Sequence, residues 1–253
     1  MEIDSYYANE DDLHKFAIDY AGNAALFPYD GELGGGRMIT PLPVDAPTYN
    51  LPIGITIKSD VFSQEQHDFI MNYLGNVYNI LYYAAYRKEA YCFNDSYTDI
   101  YKVSEMTPKE AVEIAVDIRS LVDTYLLSEI ACDPDLMYSS FYMDVDFSKG
   151  ADHRLRFEAP WDYDSALGNR DGYSENIGLY AANAIEQPVG DWETINPWLA
   201  VLMYEDWYDE IITEEWKRYY NGGIFAEAEE MIMMDTIGYE DAFARNIERW
   251  GLM

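Results

Sequence analysis

The sequence predicts an α+β fold, with a short strand-rich N-terminal part and a mainly helical remainder. Strands are indicated by short segments in which apolar and polar residues alternate, and helices by long segments in which apolar residues recur every three or four positions. A chain of 253 residues is long enough for one large domain or two closely packed lobes. With 49% hydrophobic and 25% charged residues, it has the composition of a globular protein.

The first 60 residues are expected to contain strands and loops. Residues 51–58 are apolar and rich in β-branched side chains, which is typical of a buried strand, and this strand is predicted to end at Lys58. The glycine triplet at 34–36 lies in a loop and lacks the Lys-Ser/Thr ending of a nucleotide-binding P-loop. We therefore assign no phosphate site to the triplet.

A first long helix is predicted to start at Ser63. Ser63 and Gln66 have the spacing of a capping box, in which the two side chains bond to each other's backbone amides. Apolar residues then recur at helical spacing as far as residue 85. This pattern predicts an amphipathic helix directly after the strand that ends at Lys58.

A second helix has a still clearer start. Thr107 and Glu110 form a capping box, and Pro108 occupies the first helical position. Apolar residues continue at helical spacing to Ile130, which predicts one long, mostly buried helix. The helix should end at Asp133, because the residue before a proline disfavours helical geometry.

Three more helices are predicted toward the C-terminus. Asn196 followed by proline is a helix start, and residues 204–220 form the next helix. Gly222 and Gly223 should stop that helix, and residues 224–250 are predicted to form the last one. The C-terminal fifth of the chain is therefore expected to be helical.

A two-stranded hairpin is predicted between the long helix and these C-terminal helices. Residues 141–146 alternate apolar and polar side chains, residues 148–152 are typical of a turn, and residues 154–157 alternate again. Such alternation is the period of strands with one buried face.

Acidic residues flank this hairpin on both sides. Asp135 precedes it in the loop after a long helix, a rigid place for a catalytic acid, and Asp162 and Asp164 follow it. Protein kinases have the same order: a catalytic Asp, a metal-binding residue five positions later, a hairpin, and a magnesium-binding Asp. The five-residue step from Asp135 reaches Ser140. Asp133 is a second candidate for the catalytic acid.

The same region resembles a known family. The residues that carry the resemblance are Asp135, the run Ser139-Ser140-Phe141-Tyr142, the run Pro160-Trp161-Asp162-Tyr163-Asp164 and the run Ala166-Leu167-Gly168-Asn169. These motifs are similar to those of the CotH kinase family, and less specific similarity extends to segments 2–7, 57–66, 120–129 and 246–250. The Trp-Asp-Tyr-Asp run is the most specific of them.

The resemblance implies an atypical protein-kinase-like fold. The best-known members of the family are spore-coat protein kinases, and many others are modules of bacterial surface or secreted proteins. The chain would then be a single kinase-like domain over residues 1–253, in which residues 1–60 are what remains of the N-terminal lobe. Residues 61–253 would form the helical lobe, with the catalytic hairpin region at 132–169.

The resemblance also implies a reaction and its residues. The reaction is Mg²⁺-dependent transfer of the ATP γ-phosphoryl group to a Ser or Thr hydroxyl of a protein substrate. Asp135 would position the hydroxyl, Asp162, Asp164 and Ser140 would hold the metal, and Lys58 would contact phosphate. Kinases of the wider superfamily carry Asn where this chain has Ser140, and serine is a weaker magnesium ligand.

The charge balance excludes some partners. Sixteen basic against 47 acidic residues give a formal net charge of −31, which argues against a nucleic-acid partner and against binding to an anionic membrane surface. ATP would bind such a chain only together with a divalent metal. No segment has the roughly 20 apolar residues that span a bilayer, and no signal peptide is expected, because acids follow Met1.

Two other classes of function remain open from the sequence. The first is a non-catalytic, pseudokinase-like binding or scaffold module on a bacterial surface, which the short N-terminal part and Ser140 favour. The second is a structural domain stabilised by calcium, because clustered acids suit Ca²⁺ as well as Mg²⁺.

Overall fold

A computed structural model describes most of the chain. The described residues are 15–21, 37–39, 54–57, 59, 62–133, 135–137, 140–158, 160–169, 181–182, 185–186, 193–194 and 196–251. They form a mixture of helices and strands, which confirms the predicted α+β class. The chain divides into two compact units, Met1–Asp209 and Glu210–Met253.

The strands belong to the first unit. They are β1 (Lys15–Ala21), β2 (Arg37–Ile39), β3 (Gly54–Ile57), β4 (Tyr91–Phe93), β5 (Ile100–Lys102), β6 (Phe141–Asp146), β7 (Arg156–Phe157), β8 (Ile185–Glu186) and β9 (Glu193–Thr194). Five of them form an antiparallel sheet in the order β2-β3-β1-β6-β7, while β4 pairs with β5 and β8 with β9. The strands from residues 15–57 and the predicted hairpin therefore share one sheet.

The helices account for much of the remaining described chain. They are α1 (Gln64–Tyr82), α2 (Pro108–Ala115), α3 (Ile118–Ala131), α4 (Pro197–Ala200), α5 (Asp206–Gly222), α6 (Ile224–Gly238) and α7 (Glu240–Trp250). Ser63 caps α1 by accepting a hydrogen bond of 3.1 Å from the amide of Gln66. Thr107 and Glu110 form the predicted capping box at the start of α2. Both predicted helix starts are confirmed. The capping box predicted at α1 forms only in part, because the side chain of Gln66 accepts from the amide of Phe62, at 2.8 Å, and not from that of Ser63.

The prediction of one helix from Thr107 to Ile130 is wrong, because the chain breaks between α2 and α3. Val116 is extended (φ −131°, ψ 141°) and forms a parallel bridge with Leu155 just before β7. Asp117 then caps α3, with its carboxylate accepting from the amide of Ser120 at 3.4 Å. Pairing with the hairpin outweighs the local helical pattern here, since it satisfies backbone hydrogen-bonding groups that would otherwise be buried without a partner.

The prediction of one helix over residues 224–250 is also wrong. α6 ends at Gly238, and α7 begins after Tyr239, whose backbone (φ −114°, ψ 16°) is not helical. The stop before α6 is confirmed, since Gly223 has a left-handed backbone with φ 83°. A glycine adopts this conformation without the steric cost of a side chain.

The core of the first unit lies around Trp198 of α4, which is fully buried. Its indole packs edge-on against Tyr78 of α1, with ring centroids 5.1 Å apart, and lies 5.9 Å from Phe157 of β7. The buried face of β6 is formed by Phe141, Met143 and Val145, as the alternation predicts. Three elements far apart in sequence thereby fix the base of the hairpin.

Candidate metal centre

Three of the predicted acids come together in space. Carboxylate oxygens of Asp135, Asp162 and Asp164 all lie within 4.8 Å of one another. Asp135 is half-buried, and the other two are exposed. We call these three residues the acidic cluster. Like charges at such a separation repel unless a cation or protons are shared among them.

The first acid of the cluster follows the end of α3. Cys132 ends the helix with a left-handed backbone (φ 52°), which is uncommon for a residue with a side chain. Asp133 then points into the protein and is only 1% exposed. Asp135 begins a 3₁₀ turn that extends to Met137. The prediction that Asp135 lies in a loop directly after the core helix is confirmed.

A buried asparagine ties this loop to the next part of the core. Asn196 donates a hydrogen bond of 2.9 Å from Nδ2 to the carbonyl of Leu136, and its Oδ1 accepts from the amide of Trp198 at 3.1 Å. The same side chain therefore caps α4 and holds the turn that carries Asp135. The helix cap was predicted, whereas the contact with a carbonyl 60 positions away leaves no signal in the sequence.

The second and third acids lie in a tight turn after β7. Asp162 has a left-handed backbone (φ 60°, ψ 45°) and precedes a 3₁₀ turn over Tyr163–Ser165. The side chain of Asn169 donates to the carbonyl of Asp164 at 2.5 Å, and the amide of Leu167 donates to the carbonyl of Ala131 at 2.7 Å. The second bond joins the turn to the end of α3. Aspartate adopts a left-handed backbone more readily than most residues with a side chain, which suits it to this turn.

Tyr163 separates the two acids and turns toward α3. Its hydroxyl bonds to Ser128, a buried residue of that helix, and burial raises the pKa of the phenol. Because the side chains on either side of Tyr163 are exposed, this contact keeps the acids on one side of the turn and the ring on the other. The alternation of aromatic and acidic residues in the Trp-Asp-Tyr-Asp run has this structural basis.

Asp133 adds a fourth carboxylate beside the cluster. Its Oδ1 accepts a hydrogen bond of 3.2 Å from the amide of Asp135, while its Oδ2 has no hydrogen-bond partner among the described residues. The pKa of this carboxyl is raised to about 6, mainly by burial; the hydrogen bond from the Asp135 amide lowers it, and the charges of Asp135, Asp162 and Asp164 raise it. A buried carboxylate oxygen without a partner is costly, which is a reason to expect a ligand here.

A cavity of about 360 Å³ is lined by Tyr163, the residue between Asp162 and Asp164, but by none of the three acids of the cluster. It lies between α3, the base of the β6–β7 hairpin and the turn of Tyr163, and Ser140 is among its lining residues. Ser140 has a left-handed backbone with φ 59°. Ser140 and Tyr163 thus line one cavity, and the role of Ser140 as a metal ligand stays a prediction.

The polar face of the hairpin carries a separate pair of acids. Asp144 of β6 bonds to Glu158, and burial, followed by the charge of Glu158, raises the pKa of the Asp144 carboxyl well above its usual value. Arg156 opposes this rise. The sequence pattern placed Asp144 on this face and gave no indication of its partner.

The remaining predicted site residue, Lys58, lies outside the described residues. Its proposed contact with phosphate stays a prediction. Of the predicted site residues, the structure brings Asp135, Asp162 and Asp164 together, and Asp133 interacts with all three. Ser140 lines the cavity beside Tyr163.

The donor set of the acidic cluster fits a hard divalent cation. Mg²⁺ binds through one or two carboxylates together with waters and substrate phosphates, and Ca²⁺ accepts more carboxylate oxygens. The three carboxylates, and the unpartnered oxygen of Asp133 beside them, are the ligands that such ions prefer. No described histidine or cysteine belongs to the group, so its chemistry does not suit zinc.

No protein-family model, no curated protein and no solved structure matches this chain. Among the described residues, no helix is both long and apolar enough to cross a membrane.

Proposed function

We propose that this protein is a Mg²⁺-dependent phosphotransferase of the CotH kinase type, which transfers the γ-phosphoryl group of ATP to a Ser or Thr hydroxyl of a protein. The observation that carries the proposal is the meeting of Asp135, Asp162 and Asp164 within 4.8 Å. These acids lie on opposite sides of a hairpin in the sequence, in the order that kinases use.

Each acid has a separate role in the proposed mechanism. Asp162 and Asp164 would hold Mg²⁺, which would supply positive charge beside the nucleotide phosphates. Asp135 accepts a hydrogen bond from the acceptor hydroxyl and orients its oxygen toward the phosphoryl group. Asp133 positions Asp135 through the hydrogen bond from that residue's backbone amide. Lys58 is proposed as the phosphate contact from the sequence alone.

The net charge of −31 makes the metal indispensable in this mechanism. A nucleoside triphosphate is repelled by the acidic surface, and a bound divalent ion would offset most of the negative charge of the three carboxylates at the cluster. ATP without Mg²⁺ is therefore expected to bind poorly, even where the nucleotide site is complete.

Thermal unfolding of the purified protein tests the proposal. A ligand that binds only the folded state raises its stability by roughly 2.7 kcal/mol at a hundred times its dissociation constant. We expect Mg²⁺ and ATP together to raise the unfolding midpoint more than either does alone. Asp162→Asn should abolish the joint shift, whereas Asp95→Asn, which changes an exposed acid outside the cluster, should retain it. An Asp162→Asn variant with the full joint shift would refute the assignment.

A non-catalytic binding module stabilised by calcium is the second candidate. It is favoured by the composition of the acidic cluster, since three carboxylates with a fourth close by suit the higher coordination number of Ca²⁺. In that case Ca²⁺ alone should raise the unfolding midpoint more than Mg²⁺ with ATP. The same Asp162→Asn variant should then lose the calcium effect.

A further inference from the structure

The last two helices of the chain expose large apolar side chains. None of the residues of α6 or α7 is buried. The large apolar residues that are exposed there are Ile224, Met231, Ile232, Met233, Met234, Ile237, Tyr239, Phe243, Ile247 and Trp250. The exposed fraction reaches 71% at Ile237. Exposed apolar surface of this density marks an interaction site more often than free surface.

One side of α6 already has an apolar partner. Phe225 lies 5.5 Å from Trp216 and 6.3 Å from Tyr220, measured between ring centroids, and both partners belong to α5. Ile232 lies seven positions after Phe225, which is two helical turns, and so belongs to the same side of the helix. The face of α6 that points away from α5 is therefore formed by residues at other positions.

That face carries glutamates and methionines at helical spacing. Glu227, Glu230, Met231 and Met234 occupy positions i, i+3, i+4 and i+7, so they share one side of α6. We call these four residues the α6 face. Met231 and Met234 are 66% and 64% exposed. Methionine side chains are flexible and polarizable, and they recur on surfaces that accept helices of different shapes.

The negative charge of α6 favours a cationic partner. The helix contains four acids, Glu227, Glu229, Glu230 and Asp235, and no lysine or arginine. A second copy of the chain would bring a further charge of −31 and the same four acids to the interface. Like charges that meet across an interface oppose association, whereas cations would gain from the acids beside the methionines.

We propose that the α6 face docks a cationic amphipathic helix of a partner protein, with apolar side chains on Met231 and Met234 and lysine or arginine side chains on Glu227 and Glu230. Two amphipathic helices pack in this way when their apolar side chains meet along one face of each and their charged side chains flank the contact. The docking surface lies within Glu210–Met253 and does not depend on the proposed phosphotransferase activity.

Binding of synthetic peptides to the full chain tests the proposal. The probe is an 18-residue peptide of leucine and lysine with leucine on one helical face, and a scrambled peptide of the same composition supplies the same charge without that face. Fluorescence anisotropy in about 0.15 M salt limits long-range attraction between exposed charges. We expect the patterned peptide to bind at least about tenfold more tightly than the scrambled one, because only the patterned peptide buries its leucines.

Substitutions within α6 locate the site. Met231→Gln with Met234→Gln removes the apolar part of the α6 face and keeps good helix formers. This double variant should weaken binding of the patterned peptide by about tenfold. Ile232→Gln is the matched control on the other side of the helix and should change binding by less than about threefold. Glu227→Gln with Glu230→Gln should reduce the dependence of binding on salt. Circular dichroism checks the helix content of each variant.

Three results would overturn the proposal. Equal affinity for the patterned and scrambled peptides, or equal weakening by the Ile232→Gln control, would mean attraction to an acidic surface without a defined site. The third result is a dimer, detected by sedimentation, that Met231→Gln with Met234→Gln dissociates. A second copy of the chain would then be the occupant in place of a cationic partner.

Discussion

The backbone amide of Asp135 donates a hydrogen bond of 3.2 Å to the side chain of Asp133, so a buried acid holds the main chain of a more exposed one. The two residues are the rival candidates for the catalytic acid in the sequence. The contact distinguishes them. Asp135 belongs to the acidic cluster, whereas Asp133 is buried and accepts the hydrogen bond from the backbone amide of Asp135.

The pH dependence of stability should reveal the buried state of Asp133. Its pKa is raised from 3.8 to about 6, so between these values the folded protein binds more protons than the unfolded chain. The free energy of unfolding should therefore fall as pH rises through this window, by on the order of 3 kcal/mol from this group. Denaturant titration between pH 4 and 7, with Asp133→Asn subtracted, measures the effect.

Saturating Mg²⁺ should reduce that slope, because a cation at the cluster favours the ionised form of Asp133. A slope in metal-free protein that is the same in wild type and Asp133→Asn would contradict the assignment of a raised pKa.

Asp144 provides a second pH-dependent effect at a different place. Burial and Glu158 raise the pKa of its carboxyl, so the ionised form opposes folding. Asp144→Asn should gain stability relative to wild type as pH rises above about 4, the usual pKa of an aspartate, and the gain should level off above the raised pKa. Magnesium should not change this difference, which separates Asp144 from Asp133. A pH-independent difference would show that Asp144 ionises freely.

Asn196 should affect both the fold and the metal centre. Asn196→Ala removes the buried bond to the Leu136 carbonyl and the cap of α4, which together should cost about 1–3 kcal/mol of stability. It should also weaken Mg²⁺ binding, because the turn that carries Asp135 loses its anchor. Isothermal titration and denaturant unfolding of the same samples give both quantities.

Thr107→Ala is the control for Asn196→Ala. It removes the cap of α2, and Thr107 is not among the cluster residues. It should cost about 1 kcal/mol and leave Mg²⁺ affinity unchanged. Equal loss of affinity in both variants would mean that global stability, rather than the anchor, sets metal binding.

Asp117 separates the effect of a helix cap from that of an ion pair. Its carboxylate caps α3 and lies 3.3 Å from Arg154 and 3.8 Å from Arg156. Asp117→Asn keeps an acceptor for the cap and loses only the charge, so it should cost less than about 1 kcal/mol. Asp117→Ala should cost about 1 kcal/mol more, as measured by urea unfolding. Equal destabilisation of the two variants would show that Asp117 stabilises the protein mainly through its ion pairs.

Local patterns predicted those parts of the fold that local interactions determine. The caps at Ser63 and Thr107 and the alternation in β6 depend on neighbouring residues, and all three agree with the structure. The break between α2 and α3 could not be predicted in this way. Val116 leaves the helix to pair with Leu155, which is far away in sequence.

The same distinction applies to the candidate site: some of its features follow from local sequence, and others depend on contacts between distant segments. Asp135, Asp162 and Asp164 could be proposed from their order around a hairpin, since a hairpin brings its two ends together. The burial of Asp133 and the anchor from Asn196 depend on packing among α3, α4 and the loop, and no single segment carries a sign of either.

The pairing of β1 with β6 has a consequence for the order of folding. Tyr20 lies opposite Phe141 in the sheet, so a loop on the order of a hundred residues must close before the two strands meet. Contacts of this range slow folding. During synthesis β1 leaves the ribosome long before its partner and presents an open strand edge in the meantime, which is prone to wrong pairing. The acids that flank the hairpin therefore reach their final positions only after most of the chain has been made.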